Sequence, residues 1–128
     1  MRLGPDVREE LRRAAKTALP NEACGLVGAR EGELAAFIAC RNAAGSPRRY
    51  AIAPEEVLAA LKEFDRLDME LGAIFHSHPA GPAYPSPTDV AEAAQGVLQL
   101  ILGAPPDWTL RSFWIDDARV REEPIEAG

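Results

Sequence analysis

Residues 71–89 read LGAIFHSHPAGPAYPSPTD. The apolar, β-rich run Leu71–Phe75, bounded by Pro79, predicts a buried strand rather than a helix. AGPAYP predicts a loop through its Gly and Pro content. Ser86 is placed to N-cap a short helix over SPTDVAEAAQ, with Pro87 at its first position. Both histidines of the chain, His76 and His78, lie in this stretch. On a strand, residues i and i+2 share a face about 6.5–7 Å apart, so two imidazoles so spaced can converge on one ion while Ser77 faces away.

Outward from this stretch, helices and strands alternate. Val7, Leu11, Ala14, Ala15 and Ala18 follow helical spacing after Pro5, predicting a first helix that ends before Pro20. ACGLVGAR and ELAAFIAC predict two strands joined by a hairpin at Glu31 and Gly32. RNAAGSPRR reads as loop and YAIA as a third strand. Pro54 opens a second helix, with Glu55 and Glu56 in its first turn and an apolar stripe of Val57, Leu58, Leu61, Phe64 and Leu67. GVLQLILG predicts an apolar strand and Ala104 to Asp107 a loop. WTLRSFWI and ARVREEPI predict a terminal hairpin turning at Asp116 and Asp117, with Trp108 and Trp114 on one strand face. The fold class is α/β (α+β): a mixed central β-sheet flanked by helices.

The chain has 128 residues, the size of one domain, and residues 1–128 are read as such. Its formal net charge is −6, from 14 Lys plus Arg against 20 Asp plus Glu, which argues against nucleic acid as a main partner. No apolar run reaches the roughly 18 residues of a membrane span and the N-terminal residues lack a secretion-signal core, so no membrane partner and a cytoplasmic location are expected. Two cysteines, Cys24 and Cys40, offer no CxxC spacing and read as small buried apolar side chains.

Taken alone, the histidine pair also suits two semi-buried, hydrogen-bonded side chains. Ser86 with Asp89 three positions later is close to a capping box. A helix start packed opposite the histidine strand, however, aims Asp89 at the imidazoles. Two histidines and one carboxylate with a fourth position open form a catalytic zinc pattern. Ser86 can then both cap and face the site, although one hydroxyl proton cannot serve both demands.

Glu22, the run His76-Ser77-His78-Pro79, and Ser86-x-x-Asp89 after a further six residues together resemble the JAMM (MPN-plus) zinc isopeptidases, in particular their compact prokaryotic members. The resemblance extends over most of the chain and implies the MPN/cytidine-deaminase-like three-layer fold. It implies zinc (Zn2+), one per chain, with His76, His78 and Asp89 as ligands and water as the fourth. It implies Glu22 as general base and proton carrier, and Ser86 as hydrogen-bond donor to the oxyanion. Cys24 as a fourth, silencing ligand is the weaker reading beside its structural one. The implied substrate is the C-terminal tail of a ubiquitin-like or sulfur-carrier protein, with Tyr84 and Pro85 shaping its channel or simply exposed, and Arg48 and Arg49 offering local positive contacts. Asp89 is followed closely by the next strand, without the insertion that grips polyubiquitin in eukaryotic members. Alternatives are a non-catalytic MPN scaffold for protein–protein interaction and a RadC-like DNA-repair-associated protein. A homodimer remains open.

Overall fold

In a computed structural model describing residues 1–127, the chain runs β1 (Arg2–Leu3), α1 (Val7–Ala18), β2 (Cys24–Arg30), β3 (Glu33–Cys40), α2 (Pro54–Arg66), β4 (Glu70–Ser77), α3 (Pro87–Glu92), β5 (Leu98–Leu102), β6 (Leu110–Asp116), β7 (Arg119–Glu123) and β8 (Glu126–Ala127). The strands form one sheet in the order β7-β6-β5-β4-β2-β3-β1-β8. Central β4 is antiparallel to β2 and parallel to β5. A parallel neighbour needs a crossover of a dozen or more residues, and the segment carrying α3 supplies it.

Strand alternation divides the core into two layers. Ala73 and Phe75 of β4, Val27 of β2 and Leu98, Leu100 and Leu102 of β5 pack with Val7, Leu11 and Ala15 of α1. On the opposite face, Leu26 joins Ala60 and Phe64 of α2, with Ile74 against them. Ile101, Phe113 and Ile115 cluster there with Val90 of α3. The result is the expected three-layer arrangement, α1 on one side of the sheet and α2 with α3 on the other. Complete burial of a side chain such as Phe64 stabilises by about 2–3 kcal/mol, and this residue is 1% exposed.

The β2–β3 hairpin turns at Glu31 and Gly32, both at positive φ, as expected. Four expectations need correction. YAIA is not a strand: Ala51 donates its N–H to Asn42 Oδ1 at 3.1 Å and its carbonyl accepts from Ala43, so its backbone is held by a loop instead of a ladder. The third helix spans only Pro87–Glu92, because Ala93 turns to extended backbone and packs with Ile101 and Phe113. Trp108 does not share a strand face with Trp114. It closes the turn before β6 at φ 49°, its N–H reaching Ala104 O at 3.2 Å, although both rings pack against the α1-side core. The terminal hairpin turns one residue later than expected, at Asp117 and Ala118. The short strands β1 and β8 carry no signal of their own; β1 is held against β3 through Arg2↔Glu33 and Leu3↔Leu34.

Candidate metal centre

Strand β4 delivers His76 to the α2–α3 side of the sheet, while Ser77 points the other way and its Oγ accepts from Ala23 N at 2.8 Å. His78 lies one residue past the strand, its N–H still bonded to Leu102 O at 2.8 Å. The proline loop then turns back: His78 Nδ1 meets Pro82 O at 2.7 Å. A carbonyl only accepts, so Nδ1 carries the hydrogen and the Nε2 lone pair is left to face inward.

Asp89 arrives from the first turn of α3. Its N–H donates to Ser86 Oγ at 3.1 Å and its Oδ2 accepts from Ser86 N at 2.9 Å, a complete capping box. The same Oδ2 lies 3.1 Å from His76 Nε2 and 2.9 Å from His78 Nε2, and the two Nε2 atoms are 3.1 Å apart. A tetrahedral zinc with bonds near 2.0–2.2 Å spaces its donors by roughly 3.3 Å. Three lone-pair donors therefore converge, and a few tenths of an ångström of opening would fit one ion. Among the described residues these three form the group able to hold a metal. Burial opposes charge on Asp89, but the close His76 and His78 rings and the Ser86 N–H outweigh it and hold the carboxyl well below the usual range. Burial lowers His76.

Glu22 immediately precedes Ala23 and β2. It is 2% exposed, and its Oε1 has no hydrogen-bond partner among the described residues. Burial raises its carboxyl to about 7, with the His78 charge lowering it and the Asp89 charge raising it by smaller amounts. Glu22, His78 and Ser86 line one cleft of about 510 Å³, with Tyr84 and Arg48 on its walls. Cys24 stands apart from the donor set: burial pushes its thiol up to about 12, and its Sγ contacts Cys40 O at 3.6 Å. It is buried, whereas Cys40 is half-buried.

Residues 4–116 match the family described as prokaryotic homologs of the JAB domain. The chain belongs to this family. It is 41% identical over 96 residues to a Thermus thermophilus protein named "Probable TtuB-protein conjugate cleaving protease", an overlap of 74% of this chain and 64% of that relative. The chain thus spans less than two thirds of that relative's length. A "CysO-cysteine peptidase" of Mycobacterium bovis is 36% identical over 111 residues, 83% of this chain and 76% of the relative. A JAB1/MPN domain protein of Archaeoglobus fulgidus superposes over 100% of this chain and 96% of its own with a TM-score of 0.68 at 17% identity, a likeness of fold.

The JAB-family chain also uses residues that the sequence reading passed over. Tyr50, from the misread YAIA segment, stacks on the His76 ring with centroids 4.6 Å apart and planes 20° from parallel. Asn42 knots the same region: its Nδ2 donates to Glu22 O at 3.1 Å and Arg49 O at 3.0 Å, and its Oδ1 accepts from Ala44 N at 3.0 Å. Neither has a spacing that would single it out, since each acts through a loop whose path is set by tertiary contacts. The two neighbouring arginines diverge. Arg48 lines the cleft, whereas Arg49 pairs with Glu92 at 3.7 Å away from it.

Proposed function

We propose that the chain is a zinc-dependent metalloprotease, an isopeptidase that hydrolyses a peptide or isopeptide bond at the C-terminal tail of a ubiquitin-like or sulfur-carrier protein, and that residues 1–128 act as one catalytic domain. The observation that carries this reading is the convergence of His76 Nε2, His78 Nε2 and Asp89 Oδ2, with a buried Glu22, whose Oε1 has no partner among the described residues, lining the same cleft as His78 and Ser86. The substrate class is supported by the names of the two peptidase relatives.

His76, His78 and Asp89 would hold zinc, which when bound supplies Lewis acidity that lowers the pKa of water to about 7 and polarises a carbonyl. Glu22, with its carboxyl near 7, is matched to neutral pH as a base that takes the proton of the attacking water and returns it to the leaving amine. Ser86 resolves the conflict between capping and catalysis. The cap uses a lone pair of Oγ, accepting from Asp89 N, so the hydroxyl proton stays free to donate to the oxyanion. No side-chain nucleophile is required, consistent with a Cys24 thiol held protonated by burial.

The test is incubation of zinc-loaded protein with ubiquitin-like and sulfur-carrier conjugates, followed by mass spectrometry of the released tails. Cleavage is expected, and Glu22→Gln is expected to lower kcat by about 10²–10⁴-fold with zinc still bound. Full activity in Glu22→Gln would overturn the mechanism; no cleavage of either conjugate class would overturn the substrate reading.

A further inference from the structure

Metal-ligating histidines almost always donate their second ring N–H to a carbonyl, a carboxylate or a water, which fixes the tautomer and the ring. His78 does so through Pro82 O at 2.7 Å. His76 does not: its Nδ1 is buried without a partner among the described residues, although the residue is only 1% exposed. A second polar atom shares this condition. Gln99, 3% exposed, has an unpartnered Nε2.

The two belong to one place. Gln99 pairs in register with Ile74 on β4, so it points to the same face of the sheet as Ile74 and His76 and sits diagonally beside the imidazole. Both line a chamber of about 210 Å³ together with Asp89, bounded also by Tyr50, Thr88 and Glu92. That is distinct from the substrate cleft, which His76 and Gln99 do not line. Gln99 is the one polar residue of β5, whose other positions are Leu98, Leu100, Ile101 and Leu102. A central strand parallel to its neighbour ordinarily reads as continuous apolar sequence. The chamber is ample for water, which needs space for about one probe sphere and two to four polar partners.

We propose that Gln99 is a positioning residue of the metal centre, acting on His76 through an ordered water held in this chamber. The water oxygen accepts from His76 Nδ1–H and from Gln99 Nε2–H, and Thr88 and Glu92 offer oxygens toward its own protons. Tyr50 covers the ring face at 4.6 Å, so the imidazole is fixed by stacking on one side and by the water at its rear edge. Nδ1 is thereby kept protonated and Nε2 is kept for the metal.

This inference rests on the metal reading above, and the experiment separates the two. Zinc affinity is measured by chelator competition for the wild type, Gln99→Leu and Gln99→Asn, alongside melting of the metal-free proteins. The zinc-loaded wild type is labelled with ¹⁵N-histidine, whose only two residues are His76 and His78. One zinc bound through Nε2 of His76 is expected, with its Nδ1–H in contact with a long-lived water. Gln99→Leu should bind zinc about 10–100-fold more weakly at an unchanged metal-free melting temperature. Gln99→Asn, which keeps an amide N–H to donate to the water, should recover part of the affinity. Wild-type affinity in Gln99→Leu, or a His76 Nδ1–H without a bound water, overturns the role of Gln99 while leaving the metal reading intact. A wild type that binds no zinc overturns both.

Discussion

The hydroxyl of Ser86 serves helix and site with different atoms, and the two roles can be measured separately. Ser86→Ala removes the acceptor for Asp89 N, with an expected loss of about 1 kcal/mol in denaturant unfolding. It also removes the oxyanion donor, with an expected 10²–10³-fold loss in kcat. Zinc should stay, because Asp89 Oδ2 is oriented by the backbone N–H of residue 86. Glu22 carries the opposite conflict. Its carboxyl is raised from 4.5 to about 7 by burial, so between those values the folded chain holds a proton that the unfolded chain has released. Stability therefore falls as pH rises through that window. Metal-free Glu22→Gln, which has no charge to bury, should be more stable than wild type by about 2–3 kcal/mol at pH 8 and no more stable at pH 4 in urea unfolding. Equal stability at pH 8 would contradict the buried-charge account. His76, His78, Ser86 and Asp89 were legible because strand and cap chemistry put them within one short stretch. Glu22 was visible only through the resemblance, since nothing local distinguishes it from the chain's other acids. Tyr50, Asn42 and Gln99 were hidden because their roles depend on partners that only the folded chain brings near.

Turns and close strand contacts decide the elements. Asp117 and Ala118 form the β6–β7 turn with φ of 48° and 66°, a left-handed pair that suits Asn-Gly or Asp-Gly far better than Asp-Ala. An exposed alanine there is strained, so Ala118→Gly is expected to stabilise the fold by about 1 kcal/mol in chemical denaturation; a loss of stability would contradict the turn assignment. Gly25 makes the opposite case. A Cβ at this position would lie 2.4 Å from Ile38 O and 2.5 Å from Phe37 Cε1. Gly25→Ala must push β3 away and should destabilise by about 1–3 kcal/mol or more. Proline placement, apolar period and turn residues made α1, α2, β2 to β7 and the start of α3 readable. The end of α3 and the YAIA segment were misread because propensity does not record which partner holds the backbone. Ala93 leaves the helix for an apolar cluster, and Ala51 is bound by Asn42.

Across the whole molecule, the site sits where β4 ends, between its antiparallel neighbour β2 and its parallel neighbour β5. Chain paths diverge at such a point, leaving a crevice that loops can line. Here the proline loop and the start of α3 come from the β4–β5 crossover, while Glu22 comes from the entry to β2. The scarcity of histidine in the sequence is thus matched by its concentration in the fold. An ion that binds the folded chain and not the unfolded one stabilises the fold, so chelation should lower the melting temperature, by an amount that follows the logarithm of the free zinc concentration. Native mass spectrometry of protein purified with zinc and without chelator tests the central claim most directly, using wild type, Glu22→Gln and Asp89→Ala. One zinc per chain in the wild type and in Glu22→Gln, with most of it lost in Asp89→Ala, is the predicted result. A wild type without zinc, or an Asp89→Ala chain with undiminished zinc, would contradict it.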